Sequence, residues 1–226
     1  MRQSNDMLSL VLGLVGTIGC AHGQPAAHST AAFQAFECPP GGMSDAQAFG
    51  RALTPALDVQ YLEVISHGGG HDAVTVAERG AKCLGATNAA ACDAELSRLR
   101  QAWLQAQPSC EDCRGATLVL TTRGDDVAQR TRPEEIAALF GTIDTPAEAW
   151  LLLMARDGGP PYTCGDPSAS AYRVSSDGIE LSRQEWTSTC RPVERVEVVE
   201  SVDRNGAART LRRTVVEHEA EECFVP

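Results

Sequence analysis

Cysteine content constrains the fold of this chain more than any other feature of its sequence. Nine cysteines occur in 226 residues, and one of them, Cys20, directly follows an apolar N-terminal segment. Without Cys20 the number is even, as expected where disulfides form in an oxidising compartment. We therefore expect a domain stapled by disulfides. The candidate cysteines are Cys38, Cys83, Cys92, Cys110, Cys113, Cys164, Cys190 and Cys223.

The spacing of these cysteines predicts only part of the pairing. Cys83 and Cys92 enclose a short loop of small residues, so we expect them to pair locally. A bond between Cys164 and Cys190 would tie neighbouring strands of a C-terminal sheet. Spacing does not predict how the other four cysteines pair.

The N-terminus has the organisation of a bacterial lipoprotein leader. A polar start that contains Arg2 precedes the apolar run Met7–Ile18, which is too short to span a membrane permanently. The segment Thr17-Ile18-Gly19-Cys20 resembles a lipobox, the motif in which a signal peptidase cuts before a cysteine that carries a diacylglyceryl group. We expect residues 1–19 to be a signal peptide and Cys20 to be lipidated.

The location and the domain boundaries follow from this leader. Ala21, rather than an aspartate, comes after the cysteine, which favours the outer membrane within the cell envelope. Simple secretion and a retained anchor are the alternatives. Residues 20–32 have no aliphatic side chain larger than alanine after the cysteine, so they are predicted to form a flexible tether. A single α+β domain is expected over residues 33–226.

The net charge argues against one class of partner. Nineteen basic residues and thirty acidic residues give a formal charge of −11. This sign opposes binding to phosphate backbones and to anionic lipid headgroups. We therefore expect no nucleic-acid partner, and we expect contact with the membrane through the lipid on Cys20.

Hydrophobic periodicity predicts helices mainly in the N-terminal half and strands in the C-terminal part. Thr145-Pro146-Ala147-Glu148 forms a capping box, and the apolar run Trp150–Met154 in the helix that follows should lie deep in the core. The expected fold is α+β, with a helical N-terminal half packed against a C-terminal four-stranded antiparallel meander and stapled by disulfides. The predicted helices are 44–53, 74–82, 90–105, 133–140 and 146–156, and the predicted strands are 57–66, 116–122, 171–176, 179–187, 193–202 and 208–218.

The loop at residues 66–71 is the first candidate for chemistry. Its tetrad His67-Gly68-Gly69-Gly70 matches the oxyanion loop of some lipases and esterases, whose backbone amides bind a tetrahedral oxyanion. That chemistry also needs a G-x-S-x-G nucleophile motif later in the chain, whereas the nearest match, residues 42–46, comes earlier. A glycine-rich loop is the favoured interpretation.

The same loop offers side chains of the type that zinc prefers. His67 and His71 are four residues apart, with Glu63 and Asp72 close by in the sequence. Three intervening glycines disfavour the helix that would aim both histidines at one ion. No metal or cofactor is therefore expected, and a metal at His67 and His71 is the alternative.

Cys110-Glu111-Asp112-Cys113 is a CxxC motif. Redox catalysis needs one thiol with a lowered pKa, usually at a helix N-terminus beside a cation. Here two carboxylates lie between the thiols and would raise that pKa, and the motif follows a predicted helix. Structural disulfides are the favoured interpretation, with a metal site or redox activity as alternatives.

Two further motifs have simple structural explanations. Arg123-Gly124-Asp125 spells an integrin-ligand tripeptide, but its position just after a predicted strand favours a turn. The acidic run Glu217–Glu222 surrounds one histidine, and such a run is typical of a solvated chain end. We predict no site at either motif.

Three parts of the domain resemble uncharacterised cell-envelope lipoproteins of GC-rich, myxobacterial-type bacteria. They are Thr121–Asp125, Leu139–Ala149 and the strand-rich C-terminal region, which has cysteines at both ends. The resemblance implies an envelope location and supplies neither an activity nor catalytic residues.

These observations favour a lipid-anchored, non-catalytic domain that binds an envelope protein, peptide or glycan. An exposed aromatic or apolar patch would fit this hypothesis, whereas a deep polar cleft would count against it. The alternatives are a hydrolase-like envelope enzyme that uses His67 or His71, and a metal or thiol-redox protein that uses Cys110 and Cys113.

Overall fold

Two antiparallel β-sheets and four helices make up the part of the chain that the computed structural model describes, which is residues 32–38, 45–68, 73–107, 115–159, 162–186 and 193–219. All of these residues belong to one compact unit, 31–226. In chain order the elements are β1 (Gln34–Ala35), α1 (Asp45–Ala52), β2 (Tyr61–His67), β3 (Val74–Gly80), α2 (Ala89–Ala106), β4 (Ala116–Arg123), β5 (Asp126–Arg130), α3 (Pro133–Phe140), α4 (Pro146–Asp157), β6 (Ser170–Val174), β7 (Gly178–Trp186), β8 (Val193–Asp203) and β9 (Ala208–Glu219).

The first sheet, sheet I, is built from strands between residues 61 and 130 and has the strand order β3-β2-β4-β5. The predicted helical N-terminal half is therefore wrong. The predicted helix 74–82 is instead strand β3, which pairs with β2 in a register that places Val74 opposite Ser66. The β-branched residues Val74, Thr75 and Val76 fit a pleated strand, and pairing satisfies the backbone groups of β2 that a helix would have left open.

The second sheet, sheet II, has the order β1-β6-β7-β8-β9. Strands β6 to β9 form at the positions that the period-two pattern predicts. The predicted four-stranded sheet is nevertheless wrong, because β1 adds a fifth strand through the pairs Gln34 with Tyr172 and Ala35 with Ala171. A two-residue strand has too little periodicity to be recognised in a sequence, and only the pairing with β6 defines it.

Helix α4 lies between the two sheets. Its residues Ala147–Met154 are all buried, so the prediction that Trp150–Met154 lies deep in the core is confirmed. The core around α4 combines side chains from both sheets, and helices α1 and α3 lie beside α4 and contribute side chains to the same core. The sheet residues of this core include Leu62, Val64 and Val119 from sheet I and Ile179, Leu181 and Val202 from sheet II.

Helix α2 covers the opposite face of sheet I. Leu96 and Trp103 of α2 pack against Tyr61, Ile65 and other strand residues in a second, separate core. The described residues thus form four layers, in the order α2, sheet I, the α1–α3–α4 layer and sheet II. No helix in the described part of the chain is long and apolar enough to cross a membrane.

Two disulfides join described residues. The predicted pair Cys83–Cys92 is confirmed. Cys38 bonds to Cys164, which overturns the predicted pair Cys164–Cys190. The reason is tertiary, because a β-bridge between Phe36 and Cys164 brings together two segments that are distant in sequence. The other cysteines, Cys20, Cys110, Cys113, Cys190 and Cys223, lie outside the described residues, so their roles stay predictions.

Candidate functional site

A concave site lies between α1, the edge strand β3 and residues 162–164. We call it the α1–β3 cleft. Its volume is about 360 Å³, within the range of ligand-binding pockets. The described residues that line it are Glu37, Asp45, Ala46, Ala48, Phe49, Thr75, Val76, Tyr162, Thr163 and Cys164.

Close packing of α1 on β3 forms one side of the cleft. Gly50 makes this approach possible, because a Cβ atom there would lie 2.2 Å from the carbonyl oxygen of Glu78. The preceding residue, Phe49, is buried where the helix meets the strand. A larger residue at position 50 would push α1 away and change the shape of the cleft.

Aromatic packing forms the floor. The ring of Tyr162 stacks on Phe36 with 4.0 Å between centroids, and its edge contacts Phe49 at 5.1 Å and Trp150 at 6.1 Å. Such contacts between rings stabilise an arrangement beyond the burial of apolar area alone. Tyr162 is therefore held in place by neighbours from three different elements or segments.

The Cys38–Cys164 disulfide holds the two segments that carry Phe36 and Tyr162 together. Beside it, the backbone N–H of Gly165 donates to the carbonyl oxygen of Phe36 at 2.8 Å. The cleft is thus preformed by a covalent bond and a backbone hydrogen bond, which lowers the entropic cost of binding a ligand there.

The electrostatics of the cleft have one sign. Glu37 and Asp45 are both exposed, and they are the charged side chains among its described lining residues. Burial, with a smaller contribution from the charge of Asp45, raises the pKa of Tyr162 above its ordinary value. The phenol is therefore protonated at neutral pH, and the negative charge of the site is on the carboxylates.

A second concave site, the β7 cleft, lies beside the C-terminal end of β7 and has a volume of about 430 Å³. Trp186 is 42% exposed there, with the Arg195 guanidinium 5.9 Å from its ring centroid. In contrast to the α1–β3 cleft, its charges neutralise one another. Arg183 pairs with Glu185 at 2.7 Å, and Arg195 pairs with Glu217 at 2.5 Å.

The predicted histidine site is only partly within the described structure. His67 ends β2, and its ring packs edge-on against Trp103 with 6.4 Å between centroids. Glu63, which is close to His67 in the sequence, accepts from Thr75 at 2.8 Å and pairs with Arg100 at 2.9 Å. His71 and Asp72 lie outside the described residues, so a metal or catalytic role for His67 and His71 stays an untested alternative.

No group of three or more histidine, cysteine, aspartate or glutamate side chains that could hold a metal occurs among the described residues. The motif Cys110–Cys113 lies wholly outside them, and the nearest G-x-S-x-G match, residues 42–46, lies partly outside them. Neither the redox alternative nor the hydrolase alternative is therefore tested.

The tripeptide Arg123-Gly124-Asp125 lies in the tight turn between β4 and β5. Gly124 has a φ of +57°, and its N–H donates to Gln60 at 2.7 Å. The Asp125 carboxylate accepts from the hydroxyl of Thr87 at 2.8 Å and from its N–H at 2.7 Å, and these bonds lower the pKa of Asp125. The tripeptide thus forms the predicted turn and ties it to the loop before α2.

Sequence reasoning missed the residues of the α1–β3 cleft. Glu37, Phe49 and Tyr162 come from three separate segments, so no local spacing identifies them as a group. Knowledge of the Cys38–Cys164 pair would have placed Glu37 near Thr163. The spacing of the cysteines did not predict that pair.

Comparison of the chain with protein-family models, with curated proteins and with solved structures finds no match.

Proposed function

We propose that this chain is a lipid-anchored protein of the cell envelope, held at the outer membrane by a diacylglyceryl group on Cys20. Its folded domain binds a chemical group of an envelope protein, peptide or glycan and catalyses no reaction. The Cys38–Cys164 and Cys83–Cys92 disulfides support an oxidising location.

The observation that carries the binding function is the α1–β3 cleft. It is open, it has an aromatic floor, and a disulfide and ring packing hold its walls. Preformed concave sites with aromatic walls and few polar groups are where proteins usually bind ligands. The neutralised charges of the β7 cleft make that second site a weaker candidate.

Blocking the cleft tests the binding function. Ala48 is a half-buried lining residue, so Ala48→Phe should fill part of the cavity, whereas Ala94→Phe adds the same side chain to an exposed position on α2. We expect compounds from a collection of amines, peptides and glycan fragments to raise the Tm of the full-length protein in detergent. That rise should disappear in Ala48→Phe and remain in Ala94→Phe. If no compound raises the Tm, or if both variants respond as the unchanged protein does, the cleft does not have this function.

Removal of the lipid-bearing cysteine tests the anchor. We expect Cys20→Ala to release the protein from the membrane fraction and to abolish incorporation of radiolabelled fatty acid. A substitution in the tether, Ala26→Ser, should leave both unchanged. Persistence of the Cys20→Ala protein in membranes would contradict lipid anchoring at this residue.

A further inference from the structure

We infer that the α1–β3 cleft selects an organic ammonium group, with the aromatic floor and the two carboxylates of the cleft facing the positive charge. This inference rests on the proposed binding function and names the chemistry of its ligand. Four of the residues that line the cleft would contact this group: Glu37, Asp45, Phe49 and Tyr162.

The first observation is that the two carboxylates lack a cationic partner. Among the described residues, neither Glu37 nor Asp45 forms an ion pair, although many other carboxylates in the domain do, such as Glu63, Glu185 and Glu200. The first turn of α1 favours a carboxylate at Asp45 through the helix dipole. That explanation does not apply to Glu37, which lies on a different segment.

The second observation is the aromatic floor. A cation near the face of a tyrosine or phenylalanine ring is attracted by the electrons of the ring, and the attraction grows when the site is partly shielded from water. Tyr162 is half-buried, and its ring packs against Phe36, Phe49 and Trp150. Its neighbours thus hold the ring in place in a cleft whose two carboxylates are exposed.

The third observation is the sign of the charge in and around the site. Each charged side chain among the described lining residues is acidic, and the whole chain has a formal charge of −11. A negative cleft attracts cations and repels anions over distances of about a Debye length. An anionic ligand would therefore meet an unfavourable potential, whereas an ammonium group would be concentrated at the opening.

A pair of isosteres tests the role of the charge. Choline carries a quaternary ammonium, and 3,3-dimethyl-1-butanol has nearly the same shape with a neutral carbon in its place. We expect the full-length protein in detergent to bind choline at least ~10-fold more tightly than the neutral alcohol, measured by isothermal titration calorimetry at low salt. Affinity for choline should fall as NaCl concentration rises.

Single variants assign the effect to the cleft. Glu37→Gln and Asp45→Asn each remove one charge without changing size, and Tyr162→Leu removes the ring; each should lower choline affinity by about fivefold or more. The matched control is Glu134→Gln, which removes one charge from the exposed first turn of α3 and should leave affinity unchanged. Circular dichroism and Tm identify any variant that has lost its fold. If Tyr162→Leu does not fold, the two charge variants still test the proposal.

The outcomes separate this inference from the function on which it rests. Ammonium selectivity is overturned if choline and the neutral alcohol bind with equal affinity, or if the cleft variants leave choline binding unchanged. In either case Ala48→Phe can still show that the cleft binds ligands. Nα-acetyl-lysine methylamide provides the second arm. Tighter binding of choline indicates a quaternary ammonium ligand, and tighter binding of the lysine derivative indicates a lysine side chain of a protein; both results support selection of ammonium. If neither cation binds, the inference is wrong.

Discussion

Glu148 shows how one buried residue joins distant parts of the chain. The residue is fully buried, and its two carboxylate oxygens accept from four donors. Oε1 accepts from the N–H and the hydroxyl of Thr54 at 2.9 and 2.5 Å, and Oε2 accepts from the N–H groups of Asp144 and Thr145 at 3.2 and 3.3 Å. The predicted capping box of α4 is confirmed, and it also holds the segment after α1.

We predict that Glu148→Gln destabilises the domain by about 2–3 kcal/mol, because an amide has one acceptor oxygen in place of two and its NH₂ group would face donors that the buried carboxylate now accepts from. Glu135 of α3 is the matched control, since it occupies the same N3 position but is partly exposed and paired with Arg132. Glu135→Gln should cost clearly less, because the ion pair of Glu135 is exposed to solvent. Urea unfolding at pH 7 measures both, and equal losses would contradict the special role of Glu148.

At the scale of elements, tertiary pairing decides which segments become strands. The segment 74–80 contains residues that favour a helix and residues that favour a strand, and its pairing with β2 selects the strand. Strand β5 likewise forms because the turn at Gly124 returns the chain along β4, with Val127 opposite Thr122. Both strands are at edges of sheet I, where local patterning is weakest.

The two disulfides constrain the chain over very different lengths. Cys83–Cys92 closes a short loop before α2, with a sequence separation of 9, whereas Cys38–Cys164 has a separation of 126 and joins the segment after β1 to the segment before β6. In the chain-entropy account, a longer closed loop removes more conformational freedom from the unfolded state.

We predict that Cys38→Ala with Cys164→Ala lowers the free energy of unfolding by about 5 kcal/mol, and that Cys83→Ala with Cys92→Ala lowers it by about 3 kcal/mol. The first pair of changes should also weaken ligand binding, because the disulfide holds Tyr162 beside Phe36. Chemical denaturation without reductant measures the two losses. A larger loss for the Cys83–Cys92 pair would contradict this ordering.

At the scale of the whole molecule, the four layers bury groups whose protonation depends on folding. Tyr61 is 1% exposed, and its hydroxyl donates to Glu78 at 3.1 Å. Burial, followed by the charges of Glu63 and Glu78, raises the pKa of Tyr61 far above its ordinary value. The phenol therefore stays protonated in the folded protein at pH values where it ionises in the unfolded chain.

This difference predicts how stability depends on alkaline pH. Because the folded-state pKa is the higher one, the stabilising effect is complete below the unfolded pKa of about 10 and is lost as pH rises above it. Between pH 10 and 11, the free energy of unfolding should fall by about 1 kcal/mol more in the unchanged protein than in Tyr61→Phe. Urea unfolding of both proteins at pH 8, 10 and 11 tests this, and parallel pH profiles would show that Tyr61 does not contribute.

The positions of most elements could be read from local patterns. Helices α2, α3 and α4 and strands β6 to β9 have the periodicity and end signals that define them. The disulfide Cys83–Cys92 was likewise predictable from the short loop between its cysteines. Local physical chemistry suffices there, because capping, alternation and short loops act between residues a few positions apart. The leader, the lipidated Cys20 and the envelope location also derive from local sequence, and they stay predictions.

Tertiary structure alone decided how the pieces combine. The pairing of β1 with β6, the conversion of residues 74–80 into a strand and the Cys38–Cys164 disulfide all join segments whose partners the sequence does not specify locally. The α1–β3 cleft depends on each of them, since Glu37, Thr75 and Tyr162 meet only after those pairings form. The physical reason is that long-range contacts are selected by the burial and hydrogen bonding of the whole fold, which no short stretch of sequence contains.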